Sequence, residues 1–103
     1  MSKKTNQDIK QLRAIGHKLK PVVTIAGNGL TDSVLAELER ALSDHELIKI
    51  KLAVGSREAR EAVATEICTR TGADKVQSIG NVLVILRRAA KPDPRLSNLI
   101  RSQ

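Results

Sequence analysis

The stretch PVVTIAGNGLTDSVLAELERALSDHELIKIKL, residues 21–52, decides the fold class. Its β-branched opening, Val22, Val23, Thr24 and Ile25, reads as a strand. Ala26-Gly27-Asn28-Gly29 then turns the chain, and Thr31 is placed to cap a helix whose apolar residues Val34, Leu35, Leu38 and Leu42 recur at helical spacing as far as Asp44. From Glu46 to Ala53 the period changes to two, with Ile48, Ile50 and Leu52 inward and Lys49 and Lys51 on a wet face. A strand, a helix and a second strand in that order form a crossover unit, the building block of a layered α/β sheet.

Working outward toward the N-terminus, Ile9, Leu12, Ile15 and Leu19 mark the buried stripe of a first helix over Thr5 to His17, with Thr5 as its cap and Pro21 preventing its continuation. Lys10, Arg13, His17 and Lys20 flank that stripe as a basic one. Toward the C-terminus, Gly55 turns the chain and Ser56 caps a third helix that Gly72 stops, with Ala59, Ala62, Val63 and Ile67 facing the core. Val76–Ile79 and Val82–Leu86 flank Gly80-Asn81, a two-residue link that signals a hairpin. VLVIL, like VVTI, is apolar on both faces, so both strands are expected inside the sheet with cover on both sides, the first helix packing opposite the other two. The order is αβαβαββ: an α/β sandwich with a four-stranded mixed sheet, built as one domain over residues 1–88. Residues 89–103, AAKPDPRLSNLIRSQ, read as a tail, flexible or loosely docked through Leu96, Leu99 and Ile100.

A chain of 103 residues supports one core, and this one is built without Phe, Tyr or Trp. Nucleic-acid modules that stack bases on Phe, Tyr or Trp have nothing here to stack with, which argues against the RNA-recognition motif and the oligonucleotide-binding barrel. The net charge of +7 and a pI near 10.1 point to a partner carrying phosphates, with an anionic membrane as the other candidate. The excess sits at the two ends: residues 1–30 hold six bases and one acid, residues 31–72 six and eight, and residues 73–103 six and two. A fold that joins the ends makes one basic face. The polar start MSKKTNQDIK does not resemble a signal peptide, no run approaches a membrane span, and a single cysteine forms no internal disulfide. A cytoplasmic protein is expected, with neither membrane nor small-molecule partner.

Catalysis finds few candidates in this sequence. Cys68 reads as a half-buried structural thiol; it and the two histidines, His17 and His45, lie far apart, so no metal, cofactor or catalytic residue is expected. Glu37, Glu39, Asp44, Glu58, Glu61 and Glu66 stand beside Arg40, Arg57, Arg60 and Arg70 as solvated helix faces. The turn Ala26–Gly29 is the local feature with a mechanism. Small residues admit a phosphate backbone, and the start of the second helix presents N–H groups to an anion.

Four motifs, taken in order over Lys10 to Arg88, resemble a known family: the helix ending in H-x-L-K-P at His17–Pro21, the glycine turn followed by Leu30-Thr31, HELIKIK at 45–51, and I-G-x-x-L-V at 79–84. The sequence is similar to the CRM domain, named for chloroplast RNA splicing and ribosome maturation, in its stand-alone bacterial, YhbY-like form. The resemblance implies a fold like the C-terminal domain of translation initiation factor 3, RNA binding without catalysis, and association with precursors of the large ribosomal subunit. Family members carry G-x-x-G at the turn, comparable to the loop with which KH domains clamp a nucleic-acid backbone; here Ala26 replaces the first glycine. The expected function is therefore a monomeric assembly factor that docks ribosomal RNA on Lys10, Arg13, Lys18, Lys20 and the turn Ala26, Gly27, Asn28 and Gly29, widened by Lys3, Lys4, His17, Arg87 and Arg88. The rival is a protein-interaction module whose acidic middle helices bind a ribosomal protein or a GTPase, with the RNA affinity incidental.

Overall fold

A computed structural model describes residues 6–101. The elements run α1 (Asn6–Lys18), β1 (Pro21–Ile25), α2 (Asp32–His45), β2 (Leu47–Leu52), α3 (Arg57–Thr71), β3 (Asp74–Ile79), β4 (Val82–Leu86) and a short α4 (Asn98–Arg101). The expected αβαβαββ order is present, with α4 added inside the tail. Thr5, expected as the cap of α1, and the basic residues Lys3 and Lys4 lie outside the described residues.

Local chemistry sets the element ends. The Thr31 hydroxyl accepts a hydrogen bond from the Val34 N–H and the Ser56 hydroxyl accepts one from the Ala59 N–H, so each satisfies a first-turn donor. Gly72 ends α3 in the left-handed region, its N–H donating to the Cys68 carbonyl. Gly80 has positive φ while Asn81 does not, the type II′ pattern that matches strand twist, and Ile79 pairs with Val82 directly across the link.

The sheet order is β1-β2-β4-β3, with β1 parallel to β2 and the other two pairings antiparallel. β4 inserts between β2 and β3, and from Leu83 to Leu86 it is covered on both faces as its composition predicts. Leu83 and Ile85 lie in the core under α2 and α3 and Val84 and Leu86 in the core under α1, while Val82 is part-exposed. VVTI is not covered on both faces: β1 is an edge strand with Val23 and Ile25 buried, Thr24 exposed and Val22 47% exposed. A continuous apolar run cannot distinguish an interior strand from an edge strand with one open face.

On one side of the sheet α2 and α3 bury Leu38, Leu42, Ala64 and Ile67 against Ile25, Ile48, Ile50, Leu83 and Ile85. In α3 it is Ala64 that faces the core, whereas Ala62, expected there, is exposed. On the other side Leu12 of α1 packs on Leu47, Val76, Val84 and Leu86, with Ile15, Leu19 and Leu99 around them. The first helix thus lies opposite the other two, as anticipated.

The tail departs from the expectation of a loose segment. Glu46, buried and held at φ 64, accepts hydrogen bonds from Ser97 Oγ at 2.6 Å and the Ala89 N–H at 2.6 Å, while Asn98 Nδ2 donates to the Leu47 carbonyl at 2.6 Å. Leu99 then enters the α1-side core, and Leu96 and Ile100, expected as anchors, remain part-exposed. Polar bonds to the buried Glu46 carboxylate and to the Leu47 carbonyl hold the tail, and hydrophobic periodicity carries no signal for such bonds.

Candidate nucleic-acid interface

Helix α1 crosses the sheet and covers only half of its face. Arg13 Nε donates to the Val76 carbonyl on β3 at 3.4 Å, Gly16 sits directly on Val84 of β4, and the His17 carbonyl accepts from Lys49 Nζ of β2 at 3.3 Å. The crossing ends at Pro21, which opens β1 and pairs with Lys49. Beyond α1, toward the ends where β1, β2 and the hairpin turn, the sheet face is open. Thr24, Lys51, Val82 and Ile79 form one row across all four strands, because each is the register partner of the next. Lys49, Val84 and Gln77 form the row nearer to α1.

The residues expected to bind RNA fall at the two ends of edge strand β1. Lys10, Arg13, His17, Lys18 and Lys20 are exposed on α1 and the connector after it. The turn Ala26–Gly29 lies at the other end, six residues from Lys20, about 20 Å of extended chain. Lys49 and Lys51 fill the gap. They project from β2 on the α1 side, opposite Ile48, Ile50 and Leu52, and Lys51 is beside Thr24 at the turn end of β1. Sequence reading assigned these two lysines to a wet face without adding them to the site. The signal was their parity, which places them on the side of the sheet that carries α1.

The turn is closed by a hydrogen bond from the Gly29 N–H to the Ala26 carbonyl at 2.9 Å. Among these residues only Gly29 has positive φ, at 75°. Ala26 therefore occupies the first position without backbone strain, and Gly27 is open, with no atom within 4 Å of where its Cβ would be. Asp32, exposed in the first turn of α2, opposes the attraction of that helix start for an anion.

Charge divides the molecule by layer. Helices α2 and α3 together carry seven acids and four arginines, whereas the open half of the sheet face presents Lys49 and Lys51 and no carboxylate. Cys68 is half-buried against the α2–α3 core, and burial pushes its thiol up, with Asp74 adding to the rise and Lys75 opposing it. The shift keeps the thiol protonated, as suits a packing residue. Among the described residues no group of His, Cys, Asp and Glu is placed to hold a metal ion, and no helix is long and apolar enough to cross a membrane.

Residues 5–87 match the model of the CRS1 / YhbY (CRM) domain, which spans nearly the whole sandwich. The chain belongs to that family. A probable RNA-binding protein of Pseudomonas aeruginosa is 53% identical over 97 residues, covering 94% of this chain and 93% of that protein. An RNA-binding protein of Haemophilus influenzae is 49% identical over 76 residues, covering 74% and 77%. The solution structure of a Staphylococcus aureus protein superposes with a TM-score of 0.74 at 24% identity over 84% of this chain and 91% of the other, so the fold is shared.

In this CRM domain Arg87 does not join the basic face. Its guanidinium bonds both Glu39 carboxylate oxygens, at 2.8 and 3.0 Å, the Thr71 carbonyl at 2.9 Å and Ser43 Oγ at 3.2 Å, clasping α2 to the end of α3 on the other side of the sheet. Arg88 is exposed. Both arginines follow Leu86, the last residue of β4, and a pair of arginines in sequence does not display which of them turns back onto α2.

Proposed function

We propose that this CRM-family protein binds RNA and that its target is ribosomal RNA in precursors of the large ribosomal subunit, where it acts as a monomeric, cytoplasmic assembly factor without catalysis. The observation that carries the reading is the basic band on the α1 side of the sheet. Lys10, Arg13, Lys18 and Lys20 lead through Lys49 and Lys51 to the small-residue turn Ala26–Gly29, with no Phe, Tyr or Trp along the way. Such a surface suits a phosphate backbone and the shape of a folded RNA. The names of the Pseudomonas and Haemophilus relatives support RNA as the partner. The ribosomal destination has the family's own name as its support and is the part to be tested.

Sedimentation of lysate through sucrose gradients, blotting for the protein in low and high salt, is the test. Salt-sensitive enrichment at or just below the large-subunit peak is expected. Recovery only at the top of the gradient in low salt contradicts the ribosomal destination. Charge reversal at Lys10, Lys20 and Lys51 separates RNA binding from the rival protein-interaction reading: the variant is expected to lose RNA, whereas a partner held by the acidic helices would be retained.

A further inference from the structure

Ile79 is 63% exposed at the end of β3, the most exposed of the large aliphatic side chains among the described residues. It forms one wall of a cleft of about 260 Å³ between the last turn of α1 and the β3–β4 hairpin. The floor is aliphatic: Val84 lies directly beneath Gly16, and Val82 pairs with Ile79 on the same face. The rim is polar. Lys49 Nζ is held by one hydrogen bond to the His17 carbonyl and keeps two further donors, and the Gln77 side chain makes no hydrogen bond among the described residues. An apolar floor with a few convergent polar groups is the anatomy of a small-ligand seat.

The place of the cleft says what sort of group enters it. It opens in the middle of the basic band, so the ligand must be apolar on its faces, polar at its edge and attached to something anionic. A nucleobase on a ribose-phosphate chain has all three properties, and the protein has no Phe, Tyr or Trp that would do the same work elsewhere. We infer that this cleft seats one unpaired nucleobase of the bound RNA, its face on Ile79 and Val82, its edge met by the Gln77 amide, and its phosphate near Lys49. The inference rests on the RNA-binding reading and deepens it: the protein prefers RNA with an unstacked nucleotide to continuous duplex.

Fluorescence anisotropy with a single-stranded 12-nucleotide RNA and a duplex of the same length, each over a series of salt concentrations, tests this. Ile79→Ser and Gln77→Ala, combined, are expected to weaken single-strand binding about fivefold to tenfold, near the low end for loss of a stacking platform, and to leave duplex binding unchanged. The salt slope is expected to stay that of the unmodified protein, since no phosphate contact is removed. Equal loss on both RNAs, no loss on either, or a shallower slope overturns the proposal. A thermal melt checks that the variant folds, and Ile79→Val, which keeps the wall aliphatic, is expected to restore most of the single-strand affinity. If the unmodified protein binds neither RNA, the RNA-binding reading itself fails, an outcome separate from failure of the cleft.

Discussion

Gly29, with its φ of 75°, is the residue of the Ala26–Gly29 turn that demands glycine. Alanine at that position forces a Cβ into the left-handed region, so Gly29→Ala is expected to destabilise the fold by about 1–2 kcal/mol in a urea titration. Gly27→Ala meets neither steric contact nor backbone strain and is expected to melt like the unmodified protein. Cys68 gives a pH signature of known sign. Burial raises its pKa in the fold above the usual 9.0, so the folded chain disfavours the thiolate. The stability associated with the neutral thiol is complete below about pH 9 and is lost as pH rises through the folded pKa. Comparison with Cys68→Ala isolates this component: the stability difference between the two proteins is expected to narrow or reverse as pH rises above 9.0.

Among the elements, α1 depends on one close approach. A Cβ on Gly16 would stand 2.9 Å from Val84 Cγ1, and Val84 is a buried, χ1-restricted residue that cannot swing aside. Gly16→Leu is expected to destabilise by about 1–3 kcal/mol through overpacking, and to weaken RNA binding by displacing the turn that carries His17 and Lys18. The tail is equally specific. Ser97→Ala removes the donor to buried Glu46 Oε1 and is expected to cost about 1–3 kcal/mol, with faster amide exchange after Arg88 as the second sign. These elements also show what sequence can disclose. The helices, the capping residues Thr31 and Ser56 and the hairpin were legible because each rests on local chemistry with a period or a signature. The edge position of β1, the clasp of Arg87 on Glu39 and the latch of Ser97 on Glu46 were not, because each depends on which segments far apart in sequence meet in the fold. The candidate site was legible in part for the same reason: the basic stripe of α1 is local, whereas its union with Lys49 and Lys51 depends on where α1 crosses the sheet.

For the whole molecule, the separation of charge between the two faces of the sheet is the property on which the proposed function rests. Neutralising phosphates on the α1 side releases counterions, so affinity falls with salt at a rate that counts the contacts. Six contacts, from Lys10, Arg13, Lys18, Lys20, Lys49 and Lys51, would give a log-affinity against log-salt slope of about −4 on single strands and about −5 on duplex. The measurement that bears most directly on this account compares that slope, on a structured ribosomal RNA fragment, for the unmodified protein, for a Lys18→Gln, Lys20→Gln, Lys51→Gln variant, and for an Arg57→Gln, Arg60→Gln variant on α3. The account predicts that the slope becomes shallower by about 2–3 in the lysine variant alone. An unchanged slope there, or an equal change on replacing the α3 arginines, would contradict it.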